Sequence, residues 1–253
     1  MTDLDICKLS CLAYEDWDIV ARETLAAGWQ DFKFWEDGET QAYFVQRNIN
    51  SDATHDEHPE YPDVQLRQME SVIAFRGTEL KWRDFLTDIR ICGTDGPDGF
   101  GRVHHGFHDA LMRIWPEIAV FLVENRETLG DLYLTGHSMG GALADEAVAF
   151  ILDSPCIPRP AGVVTFGAPR VGGVRYANRY DRMMDRELHR RYVNRPDWVP
   201  GHPLPIWDYC HAGEEINIGG HFWTGRLKHP LTAGSRAHRS ASYLKRMLIR
   251  DNP

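Results

Sequence analysis

A serine flanked by glycines, between an apolar strand and an apolar helix, is the feature that most constrains what this chain can fold into. Residues 136–140 are Gly-His-Ser-Met-Gly, the preceding strand is predicted at 131–135 and the following helix at 139–152. Such a turn is so tight that a side chain at either glycine would clash with the neighbouring strand or helix. The serine hydroxyl then lies at the carboxyl end of the strand, beside a helix N-terminus that favours negative charge. This context predicts Ser138 as a nucleophile, although G-x-S-x-G alone can occur by chance.

Strands and helices alternate along the rest of the chain. Strands are predicted at 40–47, 71–75, 131–135, 162–166 and 188–193. Helices are predicted at 3–27, 106–128, 139–152, 173–185 and 236–250. Strands that are separated by helices indicate βαβ units and a parallel sheet. No change in composition marks a linker, so we expect a single α/β domain over residues 1–253.

The charge and the hydropathy pattern disfavour several classes of function. The net charge is −9 and the 28 Lys and Arg residues form no basic stripe, which disfavours a nucleic-acid partner. No apolar run is long enough to predict a transmembrane segment. The first residues are acidic where a signal peptide would be positive, so we expect a cytoplasmic protein, export by another route, or a trimmed chain.

The five cysteines include no C-x-x-C pair and are expected to be reduced.

A nucleophilic serine needs a histidine that takes its proton and an acid that orients this histidine. When the serine lies on a strand-to-helix turn of this kind, the acid and then the histidine follow it along the chain. Asp197 comes just after the predicted strand 188–193, which favours it over Asp208, which has no strand before it. The histidines that follow Asp197 are residues 202, 211, 221, 229 and 238. Position alone does not decide among them.

Five segments, in order along the chain, resemble the class 3 lipase family of fungal, plant and bacterial triacylglycerol lipases. These segments are 72–78, 103–107, 136–144, 165–170 and 193–200. The resemblance covers roughly residues 70–245, and the part before residue 70 matches only loosely. It implies an α/β-hydrolase fold, with a central, mostly parallel sheet flanked by helices and with a short helical lid.

The resemblance also implies the acid and the base of a catalytic triad. Residues 194–200 are similar to the family pattern N-x-x-D-x-V-P, whose catalytic Asp corresponds to Asp197. A second pattern, D-H-x-x-x-x-Y-L, gives His238 as the catalytic histidine, with Tyr243 five residues later. Family members often have Asp before this histidine, whereas this chain has Ala237.

The oxyanion that forms when an ester carbonyl is attacked needs preorganised hydrogen-bond donors. The amide of Met139, which follows the nucleophile at the predicted helix start, is one expected donor. The resemblance implies Thr78 as the second donor, through its backbone N–H and its hydroxyl, and Asp88 as the residue that orients this hydroxyl. A threonine that only satisfies a turn at the end of a strand is the alternative for Thr78.

Four apolar side chains lie just after this threonine at helical spacing. They are Trp82, Phe85, Leu86 and Ile89. The spacing i, i+3, i+4, i+7 predicts one apolar stripe on a short helix. In class 3 lipases this position is the lid, so the resemblance implies that the stripe covers Ser138 in a closed form. A plain core helix is the alternative.

We therefore expect a hydrolase that cleaves carboxylic esters of lipids, acylglycerols above all, through an acyl-enzyme and at a lipid–water interface. A phospholipase A1 and a feruloyl-type esterase are alternative enzymes, and a catalytically silent module that binds partners is an alternative of another class. The complete triad disfavours the silent module. Residues 55–58, His-Asp-Glu-His, lie in a polar loop without further ligands, so we expect no metal and no organic cofactor. The sequence does not indicate an oligomeric state.

Overall fold

A mostly parallel sheet forms the centre of the fold. The computed structural model describes residues 1–49, 69–77, 93–185, 188–219 and 235–251. The strands in these ranges are β1 (Phe32–Asp37), β2 (Thr40–Asn48), β3 (Met69–Phe75), β4 (Gly93–Asp95), β5 (Arg102–His104), β6 (Asp131–His137), β7 (Gly162–Phe166), β8 (Gly172–Gly173), β9 (His189–Val193), β10 (Tyr209–Cys210) and β11 (Glu214–Asn217). The central sheet has the order β1-β2-β3-β6-β7-β9-β11. The pairs β1–β2 and β2–β3 are antiparallel, and every pair from β3 to β11 is parallel.

Helices cover both faces of this sheet. They are α1 (Asp3–Leu12), α2 (Trp17–Ala26), α3 (His105–Glu124), α4 (Met139–Asp153), α5 (Val174–Met183) and α6 (Ser240–Asp251). Ile73 and Phe75 of β3 pack in one cluster with α3 and α4, whereas Val72 and Ala74 pack in another with α1. Alternate residues of a strand point to opposite faces, so a continuously apolar strand needs a covering layer on each side. On the α1 face, α6 packs beside α1 through Tyr243.

A second, smaller sheet is antiparallel and has the order β10-β8-β5-β4. β5 leads directly into α3, and β8 leads directly into α5. This sheet therefore joins the beginnings of two helices. The sequence does not predict it, because strands of two or three residues are too short to show an alternating pattern.

The parallel strands bring three loops to one edge of the central sheet. The neighbouring strands β6, β7 and β9 end at His137, Phe166 and Val193. Since parallel strands end at the same edge, Ser138 and the segment that carries Asp197 both lie there. We call this the carboxyl edge.

The predicted α/β class, with a mostly parallel sheet between helices, is confirmed. Within the described residues the main differences lie at element ends. The helical region 3–27 is two helices, and the helix predicted to end at 128 ends at Glu124. β1 and β11 are present although the sequence does not predict them.

Several predicted features lie outside the described residues. They are Thr78, Asp88, the lid residues Trp82, Phe85, Leu86 and Ile89, and the His-Asp-Glu-His run at 55–58. These stay predictions. In the ranges that the structure describes, no helix combines the length and the apolar character that crossing a membrane requires.

Candidate active site

Ser138 lies on a strained turn between β6 and α4. Its backbone angles are φ 58° and ψ −129°, a region that residues with a side chain rarely occupy. The amide of Ser138 donates to the carbonyl of Phe166 at 2.9 Å, and the carbonyl of Ser138 accepts from the amide of Gly141 at 3.0 Å. The side chain is buried, and Oγ has no hydrogen-bond partner among the described residues. The backbone of Ser138 is thus held by hydrogen bonds on both sides of its side chain.

The glycines beside Ser138 are required by close backbone contacts. A Cβ atom at Gly136 would overlap the backbone of Gly140. A Cβ atom at Gly140 would overlap the carbonyl oxygen of Phe75 in β3, and one at Gly141 would lie 2.7 Å from Cβ of Ala168. The clash predicted from the sequence is therefore present at both glycines of the motif.

Met139 is the first residue of α4 and directly follows Ser138. The first amides of a helix point along its axis toward the N-terminus, where the helix dipole favours an anion. An oxygen that becomes negatively charged beside Ser138 would lie near this end of α4. Met139 thus occupies the position that the prediction of an oxyanion donor requires.

Asp197 and His238 are joined by a buried hydrogen bond. Nδ1 of His238 donates to Oδ2 of Asp197 at 2.8 Å, and both side chains are almost fully buried. Because a carboxylate oxygen accepts, Nδ1 carries the proton, and in the neutral ring Nε2 carries the lone pair. The pair therefore has the tautomer that a general base needs at Nε2.

Two further donors orient the carboxylate of Asp197. The amide of Val199 donates to Oδ1 at 3.0 Å, and the hydroxyl of Tyr243 donates to Oδ2 at 2.6 Å. The same hydroxyl accepts from the amide of Asn194 at 3.1 Å. Burial and the neighbouring Asp197 raise the pKa of Tyr243 well above its ordinary value, so this hydroxyl keeps its proton. The sequence gives Tyr243 only as part of a spacing and does not predict this contact.

The contacts of His137 and Tyr14 beside the candidate site are a second feature that the sequence does not predict. Nε2 of His137 lies 2.5 Å from the backbone carbonyl oxygen of His238, and the hydroxyl of Tyr14 lies 2.7 Å from Nδ1 of His137. The ring of His137 is 4.8 Å from the ring of His238, measured between centroids. The residue before Ser138 therefore contacts the residue that is predicted to be its base.

Asp208, His202 and His211 are the rival acid and bases that the structure describes. Asp208 is exposed, at the end of a short 3₁₀ turn. His211 donates from Nε2 to the carbonyl of Pro200 at 2.7 Å, and burial lowers its pKa well below the ordinary value. His202 bonds the carbonyl of Trp198 through Nδ1 at 2.9 Å. His221 and His229 lie outside the described residues.

No group of three or more His, Cys, Asp or Glu side chains within the described ranges is arranged to hold a metal ion. What the carboxyl edge does present is a serine on a strained turn, a histidine bonded to an aspartate, and a helix N-terminus. This set of groups is the one that nucleophilic acyl transfer uses.

Residues 72–206, just over half of the chain, match the family described as Lipase (class 3). Lipase ZK262.3 from Caenorhabditis elegans is 34 % identical over 115 residues, which are 45 % of this chain and 32 % of that protein. Phospholipase A1-II 2 from Oryza sativa subsp. indica is 28 % identical over 189 residues, which cover 60 % of this chain and 45 % of that protein. The chain thus spans less than half the length of either relative.

Among solved structures, the native Rhizomucor miehei lipase propeptide complex is similar to this chain, with a TM-score of 0.65. The sequence identity is 22 %, and the similarity covers 86 % of this chain and 68 % of that chain. At this identity the likeness concerns the fold alone. It confirms the α/β-hydrolase fold that the sequence predicts.

Proposed function

The chain belongs to the class 3 lipase family, and on that premise we propose that it hydrolyses carboxylic esters of lipids. Ser138 is the nucleophile in this proposal, His238 is its base and Asp197 is the acid that orients the base. The observation that carries the proposal is the buried bond between His238 and Asp197, at the edge of the sheet where Ser138 also lies. A silent binding module would have no need of this arrangement.

In the proposed reaction, Nε2 of His238 takes the proton of Ser138 as its Oγ attacks the ester carbonyl. The amide of Met139 stabilises the resulting oxyanion, together with Thr78, whose role rests on the family resemblance. The C–O bond to the alcohol then breaks, and the protonated His238 gives its proton to the leaving oxygen. Water attacks the acyl-enzyme in the same way, which releases the fatty acid and restores Ser138.

Exposed apolar side chains support a lipid surface as the place of reaction. Ile206 is 79 % exposed and Trp207 is 40 % exposed, and Leu204 and Val174 are also exposed. They lie on segments that follow β7 and β9 in sequence, and the pairing of β8 with β10 brings these segments together. Apolar side chains that leave water at a lipid surface favour binding there. We propose that this set, the 204–207 patch with Val174, meets the lipid.

Labelling with a fluorophosphonate tests the nucleophile. We expect the wild-type protein to be labelled at Ser138 and to hydrolyse a p-nitrophenyl ester, and Ser138→Ala to lose both properties while it keeps its unfolding temperature. Removal of a triad serine costs several orders of magnitude in rate. Ser154→Ala, at the other end of α4, is the matched control and should behave as wild type.

Activity of Ser138→Ala above about one thousandth of the wild-type rate would refute the assignment. The substrate class needs a second measurement, because the curated relatives include both a lipase and a phospholipase A1. A panel of triacylglycerols, diacylglycerols, phospholipids and feruloyl esters, each compared by kcat/KM, distinguishes them. We expect the highest kcat/KM on an acylglycerol, and a preference for phospholipid would select the phospholipase A1 alternative.

A further inference from the structure

His137 is buried at the end of β6 and bridges two distant parts of the chain. Only 4 % of the residue is exposed. Its Nδ1 faces the hydroxyl of Tyr14 at 2.7 Å, and its Nε2 faces the carbonyl oxygen of His238 at 2.5 Å. Both ring nitrogens therefore have a short contact with a polar atom.

The chemistry of these partners fixes the direction of both hydrogen bonds. The carbonyl of His238 can only accept, so Nε2 of His137 carries the proton and donates. Nδ1 of the neutral ring then accepts from the hydroxyl of Tyr14. Burial and the adjacent His238 lower the pKa of His137 well below its ordinary value, so the ring stays neutral. Tyr14 thus selects the tautomer that allows His137 to hold His238.

Hydrogen bonds hold the backbone at two consecutive residues, Ala237 and His238. His137 donates to the carbonyl of His238, and the amide side chain of Asn194 donates to the carbonyl of Ala237 at 2.9 Å. The side chain of His238 is held by Asp197. These contacts leave the ring of the base little freedom to move away from the carboxyl edge.

We propose that His137 is a positioning residue for the base, and that Tyr14 sets its hydrogen-bonding state, so that the segment after α1 takes part in catalysis. The inference rests on the proposed role of His238. Tyr14 lies before the region that matches the family, which is residues 72–206. His137 directly precedes Ser138 in the chain and donates to the carbonyl of His238. One residue therefore links the backbone of the nucleophile to the backbone of its base. A misplacement of about 1 Å can cost about a hundredfold in rate.

Three variants test the proposal on a soluble short-chain ester. His137→Leu removes the donor to His238, and we expect kcat to fall by about ten- to a hundredfold with KM within about twofold. His137→Gln places an amide N–H near the position of Nε2, so we expect it to recover most of the lost kcat. Tyr14→Phe removes the hydroxyl only, and we expect kcat to fall by about three- to tenfold.

Tyr43→Phe is the matched control for Tyr14→Phe. Its hydroxyl is also buried and also bonds the N-terminal segment, but its partner is the carbonyl of Leu9, to which it donates at 2.6 Å, and not a residue of the candidate site. We expect Tyr43→Phe to lower the unfolding temperature without changing kcat beyond about twofold.

The proposal is overturned if kcat follows the unfolding temperature in all four variants, because a merely structural histidine would give that result. It is also overturned if His137→Gln is as slow as His137→Leu while both remain folded, or if His137→Leu keeps the wild-type kcat. Ser138→Ala separates this failure from failure of the proposed function. An inactive Ser138→Ala beside a fully active His137→Leu would refute only the positioning role.

Discussion

At the scale of single residues, the oxygen atoms of Asp197 accept three hydrogen bonds from buried donors. We predict that Asp197→Ala lowers kcat/KM by about a thousand- to ten-thousandfold, because His238 loses the group that holds its tautomer. Asp208→Ala is the control, since this exposed carboxylate lies on a surface turn, and it should stay within about threefold of wild type. Steady-state kinetics of both variants on one soluble ester provide the measurement. Equal losses in the two variants would contradict the choice of acid.

The members of the candidate site differ in how far the sequence reveals them. Ser138 has glycines and predictable elements around it, and Asp197 follows a recognisable strand, so local pattern is enough for both. His238 needs the family spacing to be chosen among several histidines. The contact between Tyr14 and His137 spans 123 positions along the chain and carries no local pattern. Only the folded arrangement brings these two residues together.

At the scale of elements, the turn between β6 and α4 depends on how closely α4 approaches β3. We predict that Gly140→Ala destabilises the protein by roughly 3 kcal/mol, because the new Cβ would overlap the carbonyl oxygen of Phe75. Gly201→Ala is the matched control, because a Cβ there has no atom within 4 Å. Urea unfolding of both variants measures the difference. If Gly140→Ala and the wild type unfold at the same urea concentration, close packing is not the reason for glycine at this position.

The same scale shows which elements the sequence predicts. Long apolar runs such as β3, β6 and α4 have a clear pattern because they are buried over many consecutive residues. β1 has an exposed, mostly polar face and β11 has four residues, so neither stands out before its partner strand is known. Their place in the sheet is decided by pairing with β2 and β9, which sequence periodicity does not contain.

At the scale of the whole molecule, the 204–207 patch should govern partition to a lipid surface. We predict that Ile206→Ser with Trp207→Ser weakens binding to neutral lipid vesicles by at least about tenfold, because even one large apolar side chain contributes about 1.5–3 kcal/mol when fully buried. Hydrolysis of a soluble short-chain ester should change by less than about twofold. Val120→Ser is the control, because Val120 is also an exposed apolar residue but lies near the C-terminal end of α3, outside the patch.

Vesicle co-sedimentation and a soluble-ester assay on the same preparations give both quantities. If the double variant and Val120→Ser bind lipid equally well, the patch is not the surface that meets lipid. The predicted lid and the prediction of one domain over 1–253 would be unaffected by that result.

The packing of α1 against α6 decides whether the proposed base is in place. Sγ of Cys11 donates to the carbonyl of Ser240 at 3.5 Å, a contact between positions 229 apart in sequence. His238 lies just before α6, so its place at the site depends on the docking of α6 against α1. A chain with its central sheet assembled but α6 undocked would hold a serine on its turn without a base beside it. Under the proposed function such a molecule would not hydrolyse esters, and activity would require α6 to be docked.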